Sequence, residues 1–185
     1  MDWPASAFWD YSLWLCGQPG VEGACLELQE RHALDVNLLL WCCWLASRGI
    51  ALDAATGGWA VRASDAWQTD VIRPLRAARQ RLRNALADSK AAGVAATSRE
   101  LVAALRQQVS AVELHGEHLE QLHLERLATG LPAEARPGIA LASRNLRHLF
   151  AFGEADRPAL CTLLGRAFPD ETAAERDAAL AQLMS

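Results

Sequence analysis

The sequence predicts an all-α protein: a compact bundle of roughly seven or eight helices that includes one long antiparallel helical hairpin. Three observations carry that expectation. The stretch from Val36 to Ala46 is apolar nearly all the way round, which marks a helix buried by its neighbours. Two later segments repeat apolar residues three and four apart, the period of an amphipathic helix. No run alternates with a period of two for long enough to suggest a strand. At 185 residues, 51% hydrophobic and 22% charged, the chain can bury a sizeable core, so one domain over 1–185 is expected. Within it, 6–49 reads as Trp-rich core helices, 64–129 as the hairpin and 137–184 as C-terminal helices.

In order, Ser6 is placed to cap a first helix carrying Phe8, Trp9, Leu13 and Trp14, which stops at Cys16-Gly17-Gln18-Pro19-Gly20. A second helix, about Val21 to His32, buries Val21, Cys25, Leu26 and Leu28. The core helix begins at Asp35, whose carboxylate can accept the first free backbone N–H groups, and Gly49 sits where a left-handed residue ends it. Its apolar run of eleven residues is short of the roughly 20 that a membrane crossing needs.

Ile50 to Arg62, with Gly57-Gly58, reads as a loop. Ser64 then opens a long helix to about Lys90, with Val71, Leu75, Ala78, Leu82 and Leu86 as its seam and Ala91-Ala92-Gly93 as its end. Pro74 should kink that helix or mark its true start. Thr97 and Glu100 have capping-box spacing and launch a second long helix to about Thr129, closed by Gly130. Its expected seam is Leu101, Leu105, Gln108, Val112, His115, Leu119 and Leu122, and the three N-terminal helices are the expected partner for the apolar side of the hairpin. After the Arg136-Pro137-Gly138 turn come helices from Ile139 to Phe152, from Asp156 with Pro158 in the first turn, and from Asp170 or Thr172, where Thr172 and Glu175 again match a capping box.

The N-terminal motifs carry a resemblance. Phe8-Trp9-Asp10-Tyr11-Ser12-Leu13, Pro19-Gly20-Val21, Ala24-Cys25-Leu26, Leu28-Gln29 and Asp35-Val36-Asn37-Leu38-Leu39-Leu40 with Trp44 together resemble a proteobacterial family of small uncharacterised proteins, a domain of unknown function. It covers roughly residues 6–48. The resemblance implies a helical fold and a bacterial origin, and it brings no activity, cofactor or catalytic residue.

Three constellations could carry chemistry. The first is charge: residues 1–59 hold two Lys or Arg against seven Asp or Glu, and residues 60–110 hold nine against four. At about 100° per residue, Arg73, Arg76, Arg79 and Arg83 fall within roughly a third of one helix circumference. Such a stripe could bind an acidic protein or phosphates; the structural alternative is pairing with Glu113, Glu117 and Glu120 of the next helix. A net charge of −4 and the lack of interleaved exposed aromatics count against nucleic acid. The second is the histidine-rich stretch 113–125, where His115, Glu120 and His123 could ligate a metal. Glu120 and His123 have Glu-x-x-His spacing, but the second such pair of a di-metal bundle is missing. The third is a ligand pocket in which Trp9, Trp41 and Trp44 form an apolar floor under Asp10, Tyr11 and His32. Helix caps and buried hydrogen bonds account equally for those polar groups.

The five cysteines form an odd set without Cys-x-x-Cys, which reads as reduced core thiols in a cytoplasmic protein. The N-terminus lacks a secretory signal. Phosphate loop, dinucleotide fingerprint, serine-hydrolase elbow and zinc-protease motif are all missing, so no cofactor is expected. The reading is a non-enzymatic interaction or adaptor protein that recognises a macromolecular partner, most simply a protein, through the hairpin. The alternatives are a small-ligand binder or enzyme using the Trp pocket or the His/Glu stretch, and a homo-oligomer.

Overall fold

The computed structural model describes residues 3–92 and 95–185. Nine α-helices occur among the described residues: α1 (Ala7–Cys16), α2 (Val21–His32), α3 (Val36–Ser47), α4 (Ala54–Trp67), α5 (Arg73–Ala91), α6 (Ala96–Ala128), α7 (Ile139–Leu149), α8 (Arg157–Ala167) and α9 (Ala173–Leu183). One π-helical turn, Gln68–Ile72, joins α4 to α5 without a break. No described residue lies in a strand. The chain forms two compact units, Met1–Ser64 with Gln121–Ser185, and Asp65–Glu120.

In the first unit α3 is the centre. Every residue from Asn37 to Ala46 is buried, and the helix packs on α1, α2, α7 and α8. Each fully buried large side chain here, Trp41, Leu39 and Leu45 among them, stabilises the fold by about 1.5–3 kcal/mol relative to exposure. Both ends of α3 follow from local chemistry. Asp35 accepts the Asn37 N–H at 2.8 Å. At the other end Ile50 N–H donates to Leu45 O (2.9 Å) and Gly49 N–H to Ala46 O (3.2 Å), with Gly49 at φ +72°, a Schellman stop. Ser6 caps α1 through the Trp9 N–H, and Glu125 accepts from both Ser6 Oγ and Ala7 N–H. On α2, Val21, Ala24, Cys25 and Leu28 are buried, whereas Leu26, expected inside, is 47% exposed. Leu13 and Trp14 of α1 are exposed as well.

The expected loop over 50–62 is mostly helix. Asp53 accepts the Thr56 N–H at 2.7 Å and starts α4 at Ala54, so Gly57 and Gly58 are helical. A Cβ on Gly57 would lie 2.9 Å from Leu149 Cδ2, so this glycine serves the approach of α4 to α7. The loop that remains, Ile50 to Leu52, is held by the buried amide of Asn145, as detailed below. Two more hydrogen bonds gather at the start of α3: Ser64 Oγ donates to Asp35, and Gln121 Nε2 donates to Asn37 Oδ1 at 2.7 Å. α7 ends at Leu149, three residues before Phe152, and a 3-10 turn (Glu154–Asp156) precedes α8, with Pro158 in its first turn. Thr172 and Glu175 form the expected capping box of α9.

The second unit is a helical pair. Trp67 Nε1 donates to Gly116 O (2.9 Å), Gln68 Nε2 to Glu120 Oε2 (2.9 Å) and Arg79 Nε to Glu113 (2.5 Å). From Gln68–Glu120 through Arg76–Glu117 to Arg79–Glu113, rising numbers on one helix meet falling numbers on the other, which makes the pair antiparallel. Pro74 stands at the start of α5, directly after the π turn Gln68–Ile72, in which the Arg73 N–H reaches back to Gln68 O, a local change of register that carries the helix past a residue with no N–H. α6 already runs at Ala96, and Arg99 N–H donates to Ala95 O, so Thr97 is inside the helix and is not its cap. Gly93, expected to end α5, lies outside the described residues.

None of the five cysteines is in a disulfide; Cys25, Cys42 and Cys43 are buried, Cys16 is half-buried and Cys161 is exposed. Burial pushes the Cys25 thiol up to about 12, with Cys16 adding to it, and raises Cys42 and Cys43 too. Among the described residues no helix is long and apolar enough to cross a membrane.

Candidate functional site

The helical pair 65–120 holds the charged stripe. Arg79 donates Nε and Nη2 to the two Glu113 oxygens at 2.5 and 3.1 Å, and Arg76 bridges Glu113 and Glu117 at 3.2 Å each. Arg76 and Arg79 therefore spend their guanidinium forks on the neighbouring helix, a charge-assisted arrangement with one carboxylate at its centre. Arg73 and Arg83 stay exposed. Glu113 is only 6% exposed. Burial alone would raise its carboxyl, but hydrogen bonds from Arg79 and Arg76 outweigh burial and hold it below the ordinary glutamate value.

A depressed carboxyl stabilises the fold above its unfolded pKa, and that stabilisation is lost as pH falls through the folded value. Melting curves of the wild type should therefore lose stability as pH falls below the ordinary glutamate value, and Glu113→Gln should remove part of that slope. At pH 7 the variant is expected to cost about 2 kcal/mol, because two guanidinium groups lose a carboxylate at a buried position. An unchanged pH dependence would refute the assignment.

One turn further along the same side of α6 the pair closes on a glycine. A Cβ on Gly116 would lie 2.7 Å from Ile72 Cδ1 and within 4 Å of Val71 and Leu75, so α6 approaches the π turn and the start of α5 closely there. The covered side of α6 runs through Val102, Val109, Glu113, Gly116 and Glu120, all buried or half-buried, with Glu113 meeting Arg76 and Arg79, Gly116 meeting Ile72 and Glu120 meeting Gln68. That overturns the expected inward seam. Leu101 (68%), Leu105 (48%), Val112 (51%) and Leu119 (38%) are exposed, as are Gln108 and His115; of the seven seam residues only Leu122 is half-buried. Periodicity found the stripe correctly and assigned it to the wrong side, since the ion pairs and the small Gly116 select the neighbouring face. The glycine in mid-helix was the available signal. The α5 stripe, Leu75, Ala78, Leu82 and Leu86, is half-buried, as its spacing predicts.

The other two constellations disperse. Glu120 is buried and accepts from Gln68, while His115 and His123 are exposed. Among the described residues no three His, Cys, Asp or Glu side chains gather as a metal-holding group. Of the pocket residues, Trp41 is fully buried in the core. Trp44 packs on Phe8 at 5.3 Å between centroids, beneath the Arg48 guanidinium at 5.4 Å. Tyr11 packs on Trp14 at 5.5 Å; burial, with Cys43 nearby, drives its hydroxyl far above the ordinary value. Trp9 is half-buried and Asp10 exposed.

His32 goes elsewhere: its Nε2 lies 2.8 Å from Asp156 Oδ1, which also accepts from Arg31 at 2.6 Å, while Gly153 N–H donates to Asp156 Oδ2 at 2.8 Å. Burial would raise the Asp156 carboxyl, but these donors together hold it low. The cluster ties the end of α2 to the start of α8. Arg31 donates as well to Ala155 O at 2.6 Å and to Glu27 at 2.7 Å.

Comparison with curated proteins and with solved structures gives no match. The family comparison does, and it reaches well past the N-terminal motifs to take in the whole helical pair and the exposed stripe. Residues 7–124 match the family described as "Protein of unknown function (DUF2390)", and the chain belongs to that family.

Proposed function

We propose that this protein is a non-enzymatic interaction protein whose docking surface is the outer face of α6. The observation that supports the reading is the row Leu101, Leu105, Val112 and Leu119, each 38–68% exposed on one side of one helix. Single exposed leucines are ordinary, but four large apolar side chains in line along one helix face mark a recognition surface. A helical segment with its own apolar stripe is the occupant that such a face fits. The Arg stripe, by contrast, is half committed to Glu113 and Glu117, so recognition through it is not favoured.

The test is capture in the protein's own cells with mild crosslinking, comparing wild type with Leu105→Glu/Val112→Glu. Both positions are about half exposed, so the variant should still fold and melt in one cooperative transition. Loss of the crosslinked species in the variant supports the reading; identical species from both proteins refute it.

A further inference from the structure

Resting on that reading, we infer that the occupant of the outer face of α6 is α6 of a second copy of this chain. The exposed row is a heptad repeat: Leu101, Leu105, Gln108, Val112, His115 and Leu119 follow one another at intervals of 4, 3, 4, 3 and 4 residues. That spacing keeps one seam in line along two helices wound around each other. Leu105, Val112 and Leu119 take one of the two core positions, and Leu101, Gln108 and His115 take the other.

The flanking positions decide the partner. In pairs of unlike helices, charges beside the seam select one partner and reject others. Here those positions are Val102, Ala104, Val109, Ala111, Gly116 and His118, without one Asp, Glu, Lys or Arg. An isologous contact sets a surface against itself, so a face of either charge would repel its own copy. This face carries nothing that would. Ala104 and Ala111 are small and exposed on one flank, which lets the second helix come close. On the other flank Val102 and Val109 are half-buried and Gly116 is closed in by Val71, Ile72 and Leu75, so each copy keeps its own pair intact. Gln108 carries both a donor and an acceptor and can satisfy the same side chain or the backbone of its copy. A polar side chain in an apolar seam also fixes which residues stand opposite, at some cost in stability.

Sedimentation velocity on the untagged full chain tests this. The wild type should sediment at twice the 20.1 kDa chain mass. Leu105→Glu/Val112→Glu should sediment as the single chain, its dissociation constant raised about a hundredfold or more by like charges brought face to face. The matching Leu105→Lys/Val112→Lys protein should behave the same way alone, and mixing the two should restore the doubled mass. A doubled mass that persists in the Glu variant overturns the inference, as does failure of the mixture to reassociate. A wild type that remains a single chain at about 100 µM overturns it as well. If such a single-chain protein still captures another protein through Leu105 and Val112, the docking surface stands and only the second copy falls.

Discussion

Gly49→Val is expected to destabilise the protein by about 4 kcal/mol, a large part of the roughly 5–15 kcal/mol that holds an ordinary domain. Two costs add. Gly49 has φ +72°, a region that costs an L-residue about 1–2 kcal/mol and a β-branched one more. Its Cβ would also stand 2.5 Å from the carbonyl oxygen of Ala135. That oxygen belongs to backbone and cannot rotate away, because Ala135 N–H is itself bonded to Gly49 O at 3.0 Å. Gly130→Ala separates the two costs. Gly130 has φ +89° but nothing within 4 Å of a built Cβ, so it should cost only about 1 kcal/mol. Urea denaturation with an unchanged slope measures both, and equal costs at the two sites would refute the clash.

Asn145→Leu should cost about 3–4 kcal/mol by a different route. The side chain is 1% exposed. Its Oδ1 accepts the Leu52 N–H at 2.9 Å, and its Nδ2 donates to Ile50 O at 3.0 Å and Cys42 O at 3.5 Å. Leucine has nearly the same shape, so packing survives while the Leu52 donor and the Ile50 acceptor are left buried without it. Hydrogen exchange gives a local readout: the Leu52 amide should lose protection in the variant out of proportion to amides in α9. Uniform loss across the first unit would mean that the amide does not hold this loop.

These two sites show where sequence reading succeeds and fails. Gly49 is legible because a helix stop is local: an apolar run, then glycine, then an apolar residue to cover the turn. Ser6, Asp35 and the Thr172–Glu175 pair are legible for the same reason. Asn145 is not, since a polar residue in mid-helix looks solvated until the loop it serves, 93 positions away, is placed beside it. Gly57 misleads in the same manner. It reads as a loop signal, yet it is a helical residue that Leu149 presses against. For the candidate site, the α6 stripe was visible as a pattern. Which side of the helix its neighbour takes is decided by Arg76, Arg79 and Gly116 acting together, and no periodicity encodes that.

The division of the chain also has a consequence for the order in which it can be made. The helical pair is one run, 65–120, inside a unit built from what comes before and after it. Its ion pairs join residues 34 to 41 positions apart, so it is complete once residue 120 has left the ribosome. The core around α3 must wait. The helices that cover Trp41 and its neighbours include α7 and α8, which are synthesised after the whole helical pair, so α3 is left with its apolar surface open through most of translation. Local contacts close first and distant ones later, and the inserted segment is in that sense the older part of every newly made molecule.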